Sequence, residues 1–231
     1  MAIRRELAKT GRTPSSRRKS REALEALSPR RLFDNIEPDN ARLILLAAIG
    51  VFAGRGYHAA TTREIASALD LSPAAVYSHF PTKADLLFEV SLRGNAEIVR
   101  LLKVAVADVE GPVERITAIV RASVLWHAEE HISANAINSN FRFLNEEQLA
   151  PIMKLRREAT AMVQSEIKRG VKAGVFRQLD VKGATIALLR MVDIAPWYSE
   201  TGPMTPERLA EVYIDLILHM LSANSPPGNP A

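Results

Sequence analysis

The chain has 231 residues and a net charge of +4, and 47% of its residues are hydrophobic against 6% aromatic, a balance that suits packed helices and excludes wholesale disorder. It has no cysteine, which excludes disulfides, thiolate nucleophiles and cysteine-ligated zinc and fits a cytoplasmic protein. The longest strongly apolar run, residues 43–54, falls short of the roughly 20 residues that cross a bilayer, so no membrane partner is expected.

Residues 1–37 carry ten Lys or Arg against five acids, a charge of +5 that leaves −1 for the remainder. With Pro14, Ser15 and Ser16 and little apolar periodicity, the segment reads as a flexible basic arm that attracts phosphate. A solubilising tail or a transit peptide has a similar composition, but the lack of an apolar core segment argues against secretion.

Pro38 and Asp39 interrupt the chain, after which Ile44, Leu45, Ala48, Val51 and Phe52 recur at helical spacing and predict a helix ending near Gly54–Gly56. Thr61 with Glu64 three positions on is a capping box, in which each side chain satisfies a free backbone N–H, so a second helix starts there and buries Ile65 and Leu69. Asp70, Ser72 and Pro73 stop it and start a third helix, to about Phe80, because Asp tolerates a left-handed turn, Ser caps and Pro suits the first helical position.

The third helix directs Val76 and Phe80 inward and leaves Ala74, Ala75, Tyr77, Ser78 and His79 mostly outside. Two short helices on a tight turn predict a helix-turn-helix over residues 38–85, whose second helix enters the DNA major groove. Ala74 and Ala75 permit close approach, Tyr77, Ser78 and His79 can donate to phosphate, and Lys83 adds a cation beside a second capping box formed by Thr82 and Asp85.

Residues 42–88 resemble the DNA-binding region of the TetR family of bacterial regulators. The resemblance is carried by Ile44-Leu45, Ala47-Ala48, Val51-Phe52, Gly56-Tyr57, Ile65-Ala66, Leu71-Ser72, Val76-Tyr77, His79-Phe80 and Lys83. It implies that Thr61, Thr62 and Arg63 lie near phosphates, that Pro73, Ala74 and Ala75, following the cap Ser72, face the bases, and that Tyr77, His79 and Lys83 meet the backbone. Asp70 stands where the family often has Gly, and Pro73 where it often has Lys; the second departure removes a common basic contact, which the arm could replace in the minor groove.

A long helix is predicted from Lys83 to about Val109, with Gly94 as its weak point, followed by helices near 112–130, 132–147, 151–173, 181–197 and 205–221. The fold class is therefore all-α, with a helical ligand-binding and dimerisation domain over 86–222 and a tail over 223–231. The last two helices are apolar on two sides and need two partners. The resemblance implies that they form a homodimer interface, for which the candidates are Ala184, Leu188, Met191, Ala195, Val212, Leu216 and Met220.

The resemblance further implies double-stranded operator DNA as a partner and a pocket for a small hydrophobic or acyl-CoA effector that releases it. Arg121, Trp126, Asn138, Phe141, Arg142 and Arg190 interrupt apolar faces and are the candidate lining residues. Residues 197–218 are similar to the branch of the family that controls fatty-acid and sterol catabolism and responds to acyl-CoA thioesters. Arginines beside an apolar cavity suit such a ligand, since its phosphates and its chain need opposite surroundings.

Residues 127–131, "HAEEH", match the inverted zinc-peptidase pattern, with His127 and His131 as ligands and Glu130 as base, but the motif is short and lacks a third ligand. Neither a Walker phosphate loop nor a G-x-S-x-G elbow occurs. The expectation is a ligand-responsive repressor without catalytic activity, cofactor or metal. A DNA-binding protein without a small-molecule effector is the alternative, and a hydrolase at His127 and His131 the remote one.

Overall fold

The computed structural model describes Phe33, residues 39–198 and residues 202–222. Apart from Phe33, the expectations for the basic arm over 1–37, and those for the tail over 223–231, lie outside the described residues. Among the described residues the protein is helical without strands: α1 Asp39–Ala59, α2 Thr62–Ala68, α3 Pro73–Tyr77, α4 Lys83–Val106, α5 Pro112–Glu129, α6 His131–Asn140, a 3-10 turn Phe141–Phe143, α7 Glu146–Lys172, α8 Val181–Val192 and α9 Pro206–Leu221.

The described residues form two compact units, one of those up to 94 with 132–152, the other of 95–131 with those from 153 onward. The boundary expected after residue 85 falls inside α4 instead, because Leu86, Leu87 and Val90 are fully buried in the first unit's core. The predicted domain is also incomplete without 132–152, which contributes Ala136, Ile137, Leu144 and Ile152 to that core, beside Phe33, Ile44, Leu45, Phe52, Ile65 and Val76. Gly94 is no weak point: it lies within an unbroken α4, and a side chain there would run into Ile137.

Several helix ends differ from expectation for local reasons. α4 stops at Val106, where Arg115 Nη1 donates to the carbonyls of Val106 at 2.7 Å and Val109 at 2.9 Å, as a cation does at a helix C-terminus. α6 closes at Asn140 in place of 147, and α7 starts at Glu146, ahead of Pro151, because Asn145 caps it by accepting from Gln148 N at 2.9 Å. α8 ends at Val192 in place of 197, since Asp193 leaves helical geometry with ψ 68°.

The second unit packs α5 along α9 and α8 against both. Its core joins Val99 and Leu102 of α4, Ile116, Ile119, Val120 and Val124 of α5, Val163 and Ile167 of α7, Leu188 of α8 and Ile217 of α9. No helix among the described residues is long and apolar enough to cross a membrane.

Candidate functional site

The first unit builds one polar surface from two short helices. Thr61 caps α2 by accepting from Glu64 N at 3.2 Å, and Glu64 Oε2 accepts from Thr61 N at 3.0 Å, so the expected capping box is present. Arg55 forms an ion pair with the same Glu64. Ser72 caps α3 by accepting from Ala75 N at 3.2 Å, with Pro73 following it. Between them Asp70 turns the chain at φ 55°, in the left-handed region, and its Oδ2 is buried without a hydrogen-bond partner.

Val76 is fully buried and Phe80 partly so, which orients α3. Ala74, Tyr77 and Ser78 are exposed as expected, while Ala75 and His79, expected outside, are half-buried; Ser72 and Pro73 are exposed too. Thr61 and Arg63 on the neighbouring turn are exposed and Thr62 is half-buried. Thr62 Oγ1 and the Tyr77 hydroxyl are 2.8 Å apart, which ties α2 to α3 and fixes the phenol at the surface. Ser78 Oγ donates to Ala75 O at 2.9 Å, so its proton is engaged within the helix.

Lys83 is placed differently from the expected phosphate contact. Its Nζ donates to Tyr57 O at 2.7 Å, Ala60 O at 2.9 Å and His58 O at 3.4 Å, and lies 4.4 Å from the centre of the Tyr57 ring. The ammonium thus satisfies the orphan carbonyls where α1 ends, past Gly56 at φ 72°. Residues 132–152 brace the same corner. Phe143 stacks on Tyr57 at 5.2 Å, the Asn140 side chain accepts from Tyr57 N at 3.3 Å, and Gln148 donates to Asp85 at 3.0 Å. Burial also raises the pKa of the Tyr57 phenol, with the Asp85 charge adding to it.

The six candidate ligand residues divide between the units. Asn138, Phe141 and Arg142 belong to the first; Phe141 packs against its core, and exposed Arg142 lies 5.0 Å from the Phe143 ring centre. Arg121, Trp126 and Arg190 belong to the second. Arg121 Nη1 is 2.5 Å from Glu211 Oε1, an ion pair between half-exposed side chains, so its charge is committed at the surface. Trp126 is buried with its ring edge-on to His127.

Sequence reasoning missed the polar cluster around His127. This imidazole is buried, its Nδ1 lies 2.8 Å from Ser123 O and its Nε2 3.5 Å from Asp193 Oδ1. Burial holds its pKa below the usual histidine value, against the pull of Asp193 and the Ser123 carbonyl, while Arg156 pushes the same way as burial. Burial likewise lowers the pKa of Arg156, opposed by Asp193 and assisted by Arg190. The signal was present in the sequence: Arg156 sits on the stripe marked by Ile152, Ala159 and Val163, and Arg190 and Asp193 break an apolar run.

The zinc reading does not survive. The helix closes at Glu130, with φ −108° and ψ 26°, so His127 and His131 do not share one helix face, and His131 Nδ1 lies 3.0 Å from Ala128 O. No group of three metal-binding side chains occurs among the described residues. An open groove of about 340 Å³, lined by Val106, Arg115, Ile119, Glu158, Ala161, Met162, Ser165 and Glu166, has its charges paired. Glu158 meets Lys103 at 2.6 Å, and Glu166 meets Arg115 at 2.9 Å and Arg169 at 2.7 Å.

Of the candidate dimer residues, Leu188 lies in the unit's own core and Ala195 is buried, which removes both side chains from the exposed surface. Leu216 is 48% exposed, and Ala184, Met191, Val212 and Met220 are half-buried. Ile186, which sequence reasoning passed over, is 53% exposed on α8. A helix apolar all round gives no phase from sequence alone, so the outer stripe there could not be told from the inner one.

Comparison with known proteins matches residues 44–90 to the family model described as bacterial regulatory proteins, tetR family, and residues 109–221 to the tetracyclin repressor-like C-terminal domain. The HTH-type transcriptional repressor KstR2 of Rhodococcus jostii is 30% identical over 195 residues, which span 78% of this chain and 90% of that protein. Among solved structures, a bacterial regulatory protein in the tetR family from Rhodococcus RHA1 is 35% identical with a TM-score of 0.76, over 81% of this chain and 99% of that one. AibR in complex with isovaleryl coenzyme A and operator DNA is 25% identical with a TM-score of 0.72, over 77% and 97%.

Proposed function

From the premise that the chain belongs to the TetR family of bacterial transcription regulators, which are DNA-binding proteins and not enzymes, we propose that it is a cytoplasmic, homodimeric repressor that leaves its operator when a small acyl-CoA or related hydrophobic acid binds. The observation that carries the DNA half is the α2–α3 surface, where small residues lead α3 and hydrogen-bonding residues follow.

The division of labour follows from geometry. The exposed N-terminal end of α3, at Ser72, Pro73 and Ala74, is slim enough for the major groove, and half-buried Ala75 completes it. Tyr77, held by Thr62, offers its phenol to a phosphate oxygen, and Thr61, Arg63, Ser78 and His79 border the same surface. Lys83 acts one step back, by fixing the end of α1. Two copies of α3 read two half-sites about 34–36 Å apart, and exposed Ile186 and Leu216 support self-association through α8 and α9.

The effector half is supported by the similarity to AibR, solved with isovaleryl coenzyme A and operator DNA, and by arginines set among apolar side chains in the second unit. Binding of operator duplex in the absence of effector, followed by release on adding an acyl-CoA, tests the reading. DNA binding that no acyl-CoA or free acid alters removes the effector half and leaves the DNA half.

A further inference from the structure

The groove lined by α4, α5 and α7 holds hydrogen-bond donors that the protein itself leaves unused. Arg115 lines it, and a guanidinium carries five N–H donors. Its Nε donates to Glu166 and its Nη1 to the carbonyls of Val106 and Val109, which leaves the donors on Nη2 without an acceptor among the described residues. The two carboxylates of the groove are both neutralised, Glu158 by Lys103 and Glu166 by Arg115 and Arg169. Val106, Ile119 and Met162 supply an apolar lining, and Ala161 and Ser165 border it as small, exposed residues of α7.

Along α7 that border continues into a basic stripe. Arg157, Ala161, Ser165, Lys168, Arg169 and Lys172 are all exposed and recur every three or four residues, so they share one face of the helix. Arg169 is held by Glu166, but the side chains of Arg157, Lys168 and Lys172 have no ion pair among the described residues. Ser165 and Lys172 are about 10 Å apart along the helix axis, within the length of one ligand. A basic helix face by itself is merely solvated; this one adjoins an apolar groove with idle donors.

We infer that this groove is the effector site and that it takes the acyl end of an acyl-CoA. The chain lies against Val106, Ile119 and Met162, the thioester carbonyl accepts from Arg115 Nη2, and the phosphates meet Lys168 and Lys172. The inference rests on the ligand-responsive reading above and narrows it to the ester. A volume of about 340 Å³ holds roughly eleven heavy atoms at the ~30 Å³ that a water takes up in the liquid. That suits a medium-length acyl chain and keeps the nucleotide outside, on the basic stripe. A free acid is disfavoured, because its carboxylate would sit beside Glu166, which already neutralises Arg115.

Calorimetric titration of the full chain with octanoyl-CoA, coenzyme A and octanoic acid tests it. Octanoyl-CoA is expected to bind at least ten-fold more tightly than either of the others, because it alone uses both the groove and the cations. Ala161→Trp, at an exposed position, fills the groove and weakens octanoyl-CoA binding ten-fold or more. The double variant Lys168→Gln, Lys172→Gln weakens it several-fold and flattens its salt dependence. Coenzyme A or octanoic acid binding as tightly as the ester overturns the inference. So does octanoyl-CoA that binds the wild type and both variants equally, a result that leaves the acyl-CoA reading standing. Binding of no probe overturns both.

Discussion

The Tyr77 hydroxyl lies 2.8 Å from Thr62 Oγ1, fifteen residues earlier in the chain, so α3 and the helix before it are joined at the surface we propose for DNA. A phenol held this way loses little further freedom on meeting a phosphate. Tyr77→Phe is expected to weaken binding roughly three- to ten-fold, the value of one neutral hydrogen bond, and to do so alike on operator and unrelated duplex. Fluorescence anisotropy on both duplexes checks this; a changed sequence preference would assign Tyr77 to base reading instead.

Lys83 is a structural cation. With its ammonium on the carbonyls of Tyr57, Ala60 and His58, Lys83→Met should destabilise the protein by about 1.5–3 kcal/mol, the range for hydrogen bonds to a charged group. Urea denaturation measures it. Unchanged stability with a shallower salt dependence of DNA binding would return Lys83 to the phosphate role expected from sequence.

The contrast between Lys83 and the capping boxes shows what sequence could and could not reveal. Thr61–Glu64 and Thr82–Asp85 are local patterns, three residues wide, whose physics is complete within the pattern, and both stand as expected. The partners of Lys83 are backbone carbonyls some 26 residues away, which have no side-chain signature. The contribution of 132–152 to the first unit was invisible for the same reason, since Asn140 meets the backbone of Tyr57 across 83 residues. The one clue lay in α1, where Leu43, Leu46 and Ala47 are as buried as the anticipated stripe and call for a second packing partner.

Asp70 combines a left-handed backbone with a buried carboxylate oxygen that lacks a partner. Asp70→Gly relieves both, at the cost of a floppier unfolded chain, and is expected to stabilise by about 1 kcal/mol net. Asp70→Val is expected to destabilise by more than that, since β-branched residues resist positive φ. Thermal unfolding of the two variants checks the sign; a lower midpoint for Asp70→Gly would contradict it.

His127 gives stability a pH dependence. Its folded pKa lies below the unfolded value, chiefly through burial, with Arg156 acting in the same direction and Asp193 opposing. Its contribution is therefore complete above the unfolded pKa of about 6.5 and is lost as pH falls from there toward the folded pKa, because the unfolded chain takes up the proton first. The melting temperature of the wild type should drop more between pH 7.5 and 5.5 than that of His127→Gln. Parallel curves would mean that His127 takes up its proton alike in the folded and unfolded chain.

A dimer that reads DNA through α3 selects a two-fold site when the protein is offered a random pool of double-stranded DNA and the bound duplexes are sequenced. The expected result is enrichment of an inverted repeat whose half-site centres lie about one helical turn apart, and loss of that enrichment when Ala74 is replaced by Glu, which sets a carboxylate against the DNA at the exposed leading end of α3. Enrichment of no sequence, or of a single site without two-fold symmetry, would contradict it.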